Sequence, residues 1–187
     1  MLDEKRIKEA EKNIKRYLEE GLLKKVKEHN ENIIKIFKKD SEESLKVAEL
    51  LSKNDLSWLW TVVCSYYSMF YISNAVLYSL GYKVGAKIAH KVTSDALIFY
   101  VRKKLKERLL VDFETAKEEA LELAGVKADE LIESFDFERL KRSKFQYEMT
   151  EPIKKTKAET SLNRAKKFIF EMEKILLKSI IFNFMNI

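Results

Sequence analysis

The residues best suited to chemistry near neutral pH are few: His29, His90 and Cys64. An imidazole changes charge near pH ~6.5 and is the usual proton carrier at neutral pH. His29 sits in the polar run KEHNEN and reads as a solvated side chain. His90 is better placed. It follows a stretch containing Gly81 and Gly85, opens a helical pattern, and has Lys83, Lys87 and Lys91 close in sequence. Lysines beside a helix N-terminus, where backbone N–H groups point outward, favour an anionic ligand. A histidine that caps or packs at a helix start is the plainer alternative. Cys64 lies in an apolar segment, where a free thiol is usually a small buried side chain. With one cysteine no intrachain disulfide can form, which fits a reducing, cytoplasmic setting. Two distant histidines do not make a histidine-rich metal site. No GxGxxG, Walker-type or GxSxG pattern occurs, so no cofactor or metal is implied.

These residues must be positioned by helices. Four Gly and one Pro in 187 residues leave out the punctuation of an all-β chain, and Lys, Glu, Leu and Ala abound. The expected class is all-α, an antiparallel up-and-down bundle with an N-terminal helical extension. Of the 36 basic residues only seven are Arg, and Gln146 is the one glutamine, a composition like that of a thermophile protein. The net charge of +6 is compatible with a nucleic-acid surface without requiring one.

Residues 56–82 carry no charge in a chain that is 35% charged. Apolar side chains fall on every side of a helical projection, so the segment is either buried all round or spans a membrane. Burial is favoured. Thr61, Ser65, Ser68, Ser73, Asn74 and Ser79 recur along it, the tyrosines are spread rather than gathered at the ends, and the flanking amphipathic helices need a partner. No membrane association is expected, and the charged N-terminus has no signal-peptide run.

In order, residues 3–20 predict a surface helix with Ile7, Ile14 and Leu18 on its apolar stripe, ended by Gly21. Residues 22–38 show helical spacing again, so 1–38 is expected as the extension and 39–187 as the bundle. Asp40 and Glu43 have a capping spacing before a helix that buries Leu45, Val47, Ala48, Leu50 and Leu51 and ends near Asn54. Ser57 caps the central helix and Gly81 ends it, leading to a loop. His90 to Leu105 predicts a helix with Val92, Ala96, Leu97, Phe99, Tyr100 and Val101 inward. Asp112 is placed to cap a short helix ended by Gly125, residues 127–146 read as helical, and Pro152 stops them. Thr156 and Glu159 repeat the capping spacing before a last helix, 157–184. The apolar tail SIIFNFMNI is expected to fold back or to pair with another chain. The run Arg102, Lys103, Lys104, Lys106, Arg108 is a solvated face or a grip for a phosphate backbone.

The stretch SYYSMFYISNAVLYSLGYKVGAKIAH resembles the central signature of the HEPN superfamily, the nucleotide-binding domain shared by higher eukaryotes and prokaryotes. Tyr66, Tyr67, Met69 and Phe70 match its aromatic core, Gly81 and His90 the loop that follows, and Arg142 and Tyr147 a downstream R-x4-Y segment. The likeness covers roughly 40–178. It implies a helical bundle of four to five core helices, often homodimeric. Many members are metal-independent RNases with an R-x4-6-H motif; others partner minimal nucleotidyltransferases in toxin–antitoxin pairs. Here Lys83 stands where that arginine is expected, and lysine cannot make the two-pronged phosphate contact of arginine. Tyr71 and Asn74 occupy positions where related sequences often carry Arg or His, and Gln146 replaces an Asp. In an active site so implied, His90 would act as general acid or base, with Lys83 and Lys87 stabilising phosphorane charge. A tyrosine among Tyr66, Tyr67 and Tyr71 would orient His90 or stack a base; packing in the core is the plainer role for such a stripe. The expected ligand- or RNA-binding set is Lys87, Lys91, Tyr67, Tyr71, Asn74, Arg102, Arg142 and Tyr147. The missing arginine favours a binding or interaction module, a homodimer or a nucleotidyltransferase partner, over an endoribonuclease using Lys83-x6-His90.

Overall fold

The computed structural model describes residues 2–26, 30–123 and 154–185. Helix α1 (Glu4–Glu19) leads to strand β1 (Leu23–Lys25), then α2 (Glu31–Lys53) and α3 (Trp58–Ser79). Strand β2 (Tyr82–Val84) precedes α4 (Ala89–Ala96), which continues as a π turn over Leu97–Val101 and a 3₁₀ turn over Arg102–Lys104. Helices α5 (Glu107–Leu123) and α6 (Lys155–Met185) follow. The protein is an all-α helical bundle with one two-stranded ribbon. No helix among the described residues is long and apolar enough to cross a membrane.

Helix α3 is the centre. Fifteen of its 22 residues are buried, and α2, α5 and α6 pack round it. Most of its buried serine and threonine hydroxyls return to the helix's own carbonyls, Ser65 Oγ being the exception. Ser68 donates to Ser65 O at 2.6 Å, Ser73 to Met69 O at 2.6 Å and Ser79 to Val76 O at 2.8 Å. Such back-bonding satisfies a buried hydroxyl within the helix's own backbone. Ser57 Oγ accepts from Trp60 N at 3.3 Å, the expected cap, and Gly81 leaves the helix with φ +89°.

The N-terminal third differs from expectation. Residues 23–25 are a strand, not helix, and α2 runs unbroken from Glu31 to Lys53. The boundary expected after residue 38 therefore falls inside a helix, and the Asp40–Glu43 spacing is interior rather than a cap. Asn30 is the cap instead, its Oδ1 accepting from Asn32 N at 3.0 Å. The buried residues of α2 are Ile34, Ser41 and Ala48, seven apart. Two of them are small, and Ser41 Oγ donates to Ser68 O of α3 at 2.7 Å, so the two helices lie close. This phase turns Val47 and Leu50 to solvent, against expectation.

Helix α1 is part of the core: Ala10, Ile14 and Tyr17 are fully buried or nearly so. Gly21, at φ +71°, turns the chain into β1, which pairs antiparallel with β2 so that Leu23 faces Val84, Lys24 faces Lys83 and Lys25 faces Tyr82. The bonds Val26 N to Gly81 O (2.8 Å) and Gly85 N to Leu22 O (2.7 Å) close both ends of the ribbon. The α3–α4 connection is thus tied to the N-terminal segment. Further on, Asp112 lies within α5 and Thr156 within α6, so neither caps a helix. The expected 127–146 helix, Gly125 and Pro152 lie outside the described residues.

Candidate functional site

Helix α4 is a polar hub of the bundle, because successive side chains on it reach different helices. Its first turn is set by Ile88, which holds φ +44° and ψ +34°. A β-branched residue in this left-handed region is strained, at a cost of order 1–3 kcal/mol. Lys91 N and Val92 N both bond Ile88 O at 3.0 Å, so the strained residue anchors the helix start. His90 is two positions on.

The His90 ring lies in an aromatic wall. Its centroid is 4.5 Å from that of Phe70, 5.5 Å from Tyr66 and 5.7 Å from Tyr67, the last edge-on. Tyr66 Oη and His90 Nδ1 are 2.7 Å apart. In the tautomer protonated at Nε2, the tyrosine hydroxyl donates to Nδ1. The structure thus selects Tyr66, from the three tyrosines considered, as the residue that orients the imidazole. Tyr66 is itself fixed by Phe113 of α5 at 5.8 Å, and Phe113 stacks on Phe168 of α6 at 5.4 Å.

Tyr67 and Tyr71 stand beside this wall, ring centroids 6.0 Å apart and both partly buried. Burial pushes the Tyr67 phenol up; burial, then the charge of Asp40 and the neighbouring Tyr67, do the same for Tyr71. Both are therefore protonated donors at neutral pH. Lys87 and Lys91 are exposed on either side of His90, while Lys83 is exposed on β2. Among the described residues none of the three makes an ion pair. Arg102 lies on the 3₁₀ turn, partly exposed. Asn74, expected as a ligand residue, is buried and already bonded: its Nδ2 donates to Phe70 O at 2.9 Å and to Thr93 Oγ1 at 3.3 Å. Arg142 and Tyr147 lie outside the described residues. Burial raises the Cys64 thiol, which makes it a poor nucleophile.

The next turn of α4 carries a cluster that the sequence reading did not single out. Asp95 is fully buried. Its Oδ1 lies 2.6 Å from Arg6 Nη1, and its Oδ2 accepts from Asn13 Nδ2 and from Tyr17 Oη, each at 2.9 Å. Arg6 also donates from Nε and Nη2 to Glu114 Oε1 of α5, at 3.0 and 2.7 Å, and Ser94 Oγ reaches the same oxygen at 2.9 Å. Two signals could have found it. Asp95 is the one acidic residue between positions 80 and 106, and Arg6, Asn13 and Tyr17 share a helix face by their spacing.

Burial, and then the Asp95 charge and hydrogen bond, push the Tyr17 phenol far above its ordinary range. An acid whose pKa is raised by folding supports the folded state below its unfolded pKa, ~10 for tyrosine, and loses that support as pH climbs toward the folded value. The melting temperature should therefore fall more steeply between about pH 9 and about pH 11 in the wild type than in Tyr17→Phe. Equal slopes in thermal melts would remove Tyr17 as the alkaline trigger.

Chemically, the His90 region offers an oriented imidazole, an aromatic wall and exposed lysines. That set can stack a base and attract a phosphate. No group of three or more His, Cys, Asp and Glu side chains poised for a metal occurs among the described residues. Compared with family models and with curated proteins, the chain matches none.

Proposed function

We propose that this chain is a HEPN-type module that binds a nucleotide or RNA without turning it over, acting as a homodimer and serving as the partner of a minimal nucleotidyltransferase. The observation that carries this reading is the setting of His90: held by Tyr66, packed on Phe70, and followed and preceded by lysines rather than arginine. Such a histidine is well placed to recognise a ligand. The charge of a phosphorane would be met by lysines alone, which lack the fork of an arginine. Pairing of two copies is supported by α6, where Phe170, Leu177 and Ile181, spaced seven and four apart, are each more than half exposed. A stripe of this kind is a common dimer surface; light scattering on the purified protein tests it, and a monomer at high concentration counts against it.

The function itself is tested with labelled RNA in EDTA. Wild type and His90→Ala should both leave the RNA intact, while His90→Ala should weaken nucleotide binding about tenfold. Cleavage by the wild type that His90→Ala abolishes would instead establish the metal-independent endoribonuclease with its Lys83-x6-His90 site.

A further inference from the structure

Two segments of the chain carry an excess of positive charge. Residues 22–26 and 82–106 hold nine basic side chains and a single acidic one, Asp95; the rest of the chain holds 27 basic and 29 acidic. These two segments therefore carry more than the whole net charge of +6. Asp95 does not offset them at the surface, because it is buried against Arg6.

The fold brings the two segments together through the β1–β2 ribbon. Lys24 and Lys83 stand directly opposite each other on one ribbon face. Like charges in that position repel, and among the described residues no carboxylate pairs with either. Three of the five lysines of α2 differ: Lys35, Lys38 and Lys39 each lie within 3.9 Å of a glutamate one turn away. Lys46 and Lys53, like the ribbon lysines, have no ion pair among the described residues. An anion from outside would relieve the repulsion of the ribbon pair.

Aromatic rings lie on the other ribbon face, beside Lys25 rather than Lys24 and Lys83. Lys25 is opposite Tyr82, whose ring stacks on that of Tyr100 with centroids 3.9 Å apart and planes at 25°. Phe99 meets Tyr100 edge-on at 4.7 Å and is 44% exposed. Both residues belong to the π turn. The wider turn keeps Leu97, Ile98 and Val101 in the core while letting the two rings reach the surface. Turns of this type are rare and recur at functional positions. The basic 3₁₀ turn Arg102–Lys104 follows at once.

We propose that the ribbon and the π turn form a second binding surface, for single-stranded RNA, in which the aromatic rings take bases and the ribbon and 3₁₀-turn cations take the phosphates between them. This rests on the nucleotide-binding reading given above and extends it: His90 holds one nucleotide, and the ribbon holds the strand that runs on from it. Stacking on surface rings beside a basic track is how proteins hold single strands irrespective of sequence.

The two parts separate by ligand length. Labelled oligouridylate of about twelve nucleotides, within the span of single-strand sites, and AMP are titrated by fluorescence anisotropy and calorimetry respectively. Lys24→Ala with Lys25→Ala should weaken the long probe about tenfold and make its log–log salt slope shallower by about 1.4, for two phosphate contacts on a single strand. Phe99→Ala should weaken it about fivefold with the slope unchanged. Neither variant should alter AMP binding, and Lys24, Lys25 and Phe99 are all exposed, so no loss of stability is expected in thermal melts. Unaltered oligouridylate affinity in both variants would overturn the ribbon surface while leaving the His90 reading intact. If the wild type binds neither probe, both proposals fall. Lysine-dependent binding to phosphatidylserine vesicles without any effect on the RNA would show the surface to be a membrane contact and likewise overturn the inference.

Discussion

Asp95→Ala should destabilise the protein by about 3–5 kcal/mol, the range found when one partner of a buried ion pair is removed. The substitution leaves Arg6 with Glu114 and a longer 4.0 Å pair to Glu9, and leaves Asn13 and Tyr17 without the acceptor they share. Their donors cannot turn to water, since Tyr17 is fully buried. Asp95→Asn keeps the shape and one acceptor oxygen but loses the charge, so a smaller loss of about 1–3 kcal/mol is expected. Urea denaturation of the three proteins measures both. Hydrogen exchange adds a localised readout: amides of α1 should open faster in Asp95→Ala while those of α3 and α6 keep their order. A loss below about 1 kcal/mol for the alanine variant would mean that the cluster holds α1 less firmly than its geometry implies.

Phe113→Ala is expected to be of similar size for a different reason. The ring is 1% exposed and lies between Tyr66 of α3 and Phe168 of α6. Deleting it opens a cavity at the junction of three helices, at a cost of about 3–5 kcal/mol. The effect should also reach His90. Tyr66 loses the wall that fixes its ring, and with it the hydroxyl that holds Nδ1. Nitrogen-detected NMR of the imidazole should show a single tautomer in the wild type and averaging in Phe113→Ala. Phe113→Leu, which refills most of the space, should recover most of the stability. A sharp single tautomer in the alanine variant would show that Tyr66 is held without Phe113.

The fold was legible where local chemistry decides it. The uncharged α3, its Ser57 cap and its Gly81 exit depend on neighbours in sequence, and all three are seen. The ribbon was not legible because Leu23–Lys25 shows no alternation of its own; its extended form comes from a partner about sixty residues away, and non-local pairing outweighs helical spacing. The Asp40–Glu43 spacing misled because glutamates near lysines suit a helix interior as well as its start: Lys39 pairs with Glu43 inside α2. In the site, His90 stood out by its place at a helix start among lysines. Which of Tyr66, Tyr67 and Tyr71 meets it was not legible, because that depends on how α4 packs against α3. Nor was the role of Asn74, since whether an amide faces a ligand or a neighbouring helix depends on Thr93 arriving beside it. Phe99 turned outward because a π turn shifts the helical phase, and nothing in LIFYV announces one.

The attachments of α1 set an order of events during synthesis. Asn13 must wait for Asp95, 82 residues later, and Arg6 for Glu114, 108 residues later. Until then the first helix has a polar face with no companion, and the two halves of the ribbon are still on separate lengths of nascent chain. The segment made early thus completes these bonds only after Glu114 has been made, and its arrival latches the connection that leads into the helix carrying His90.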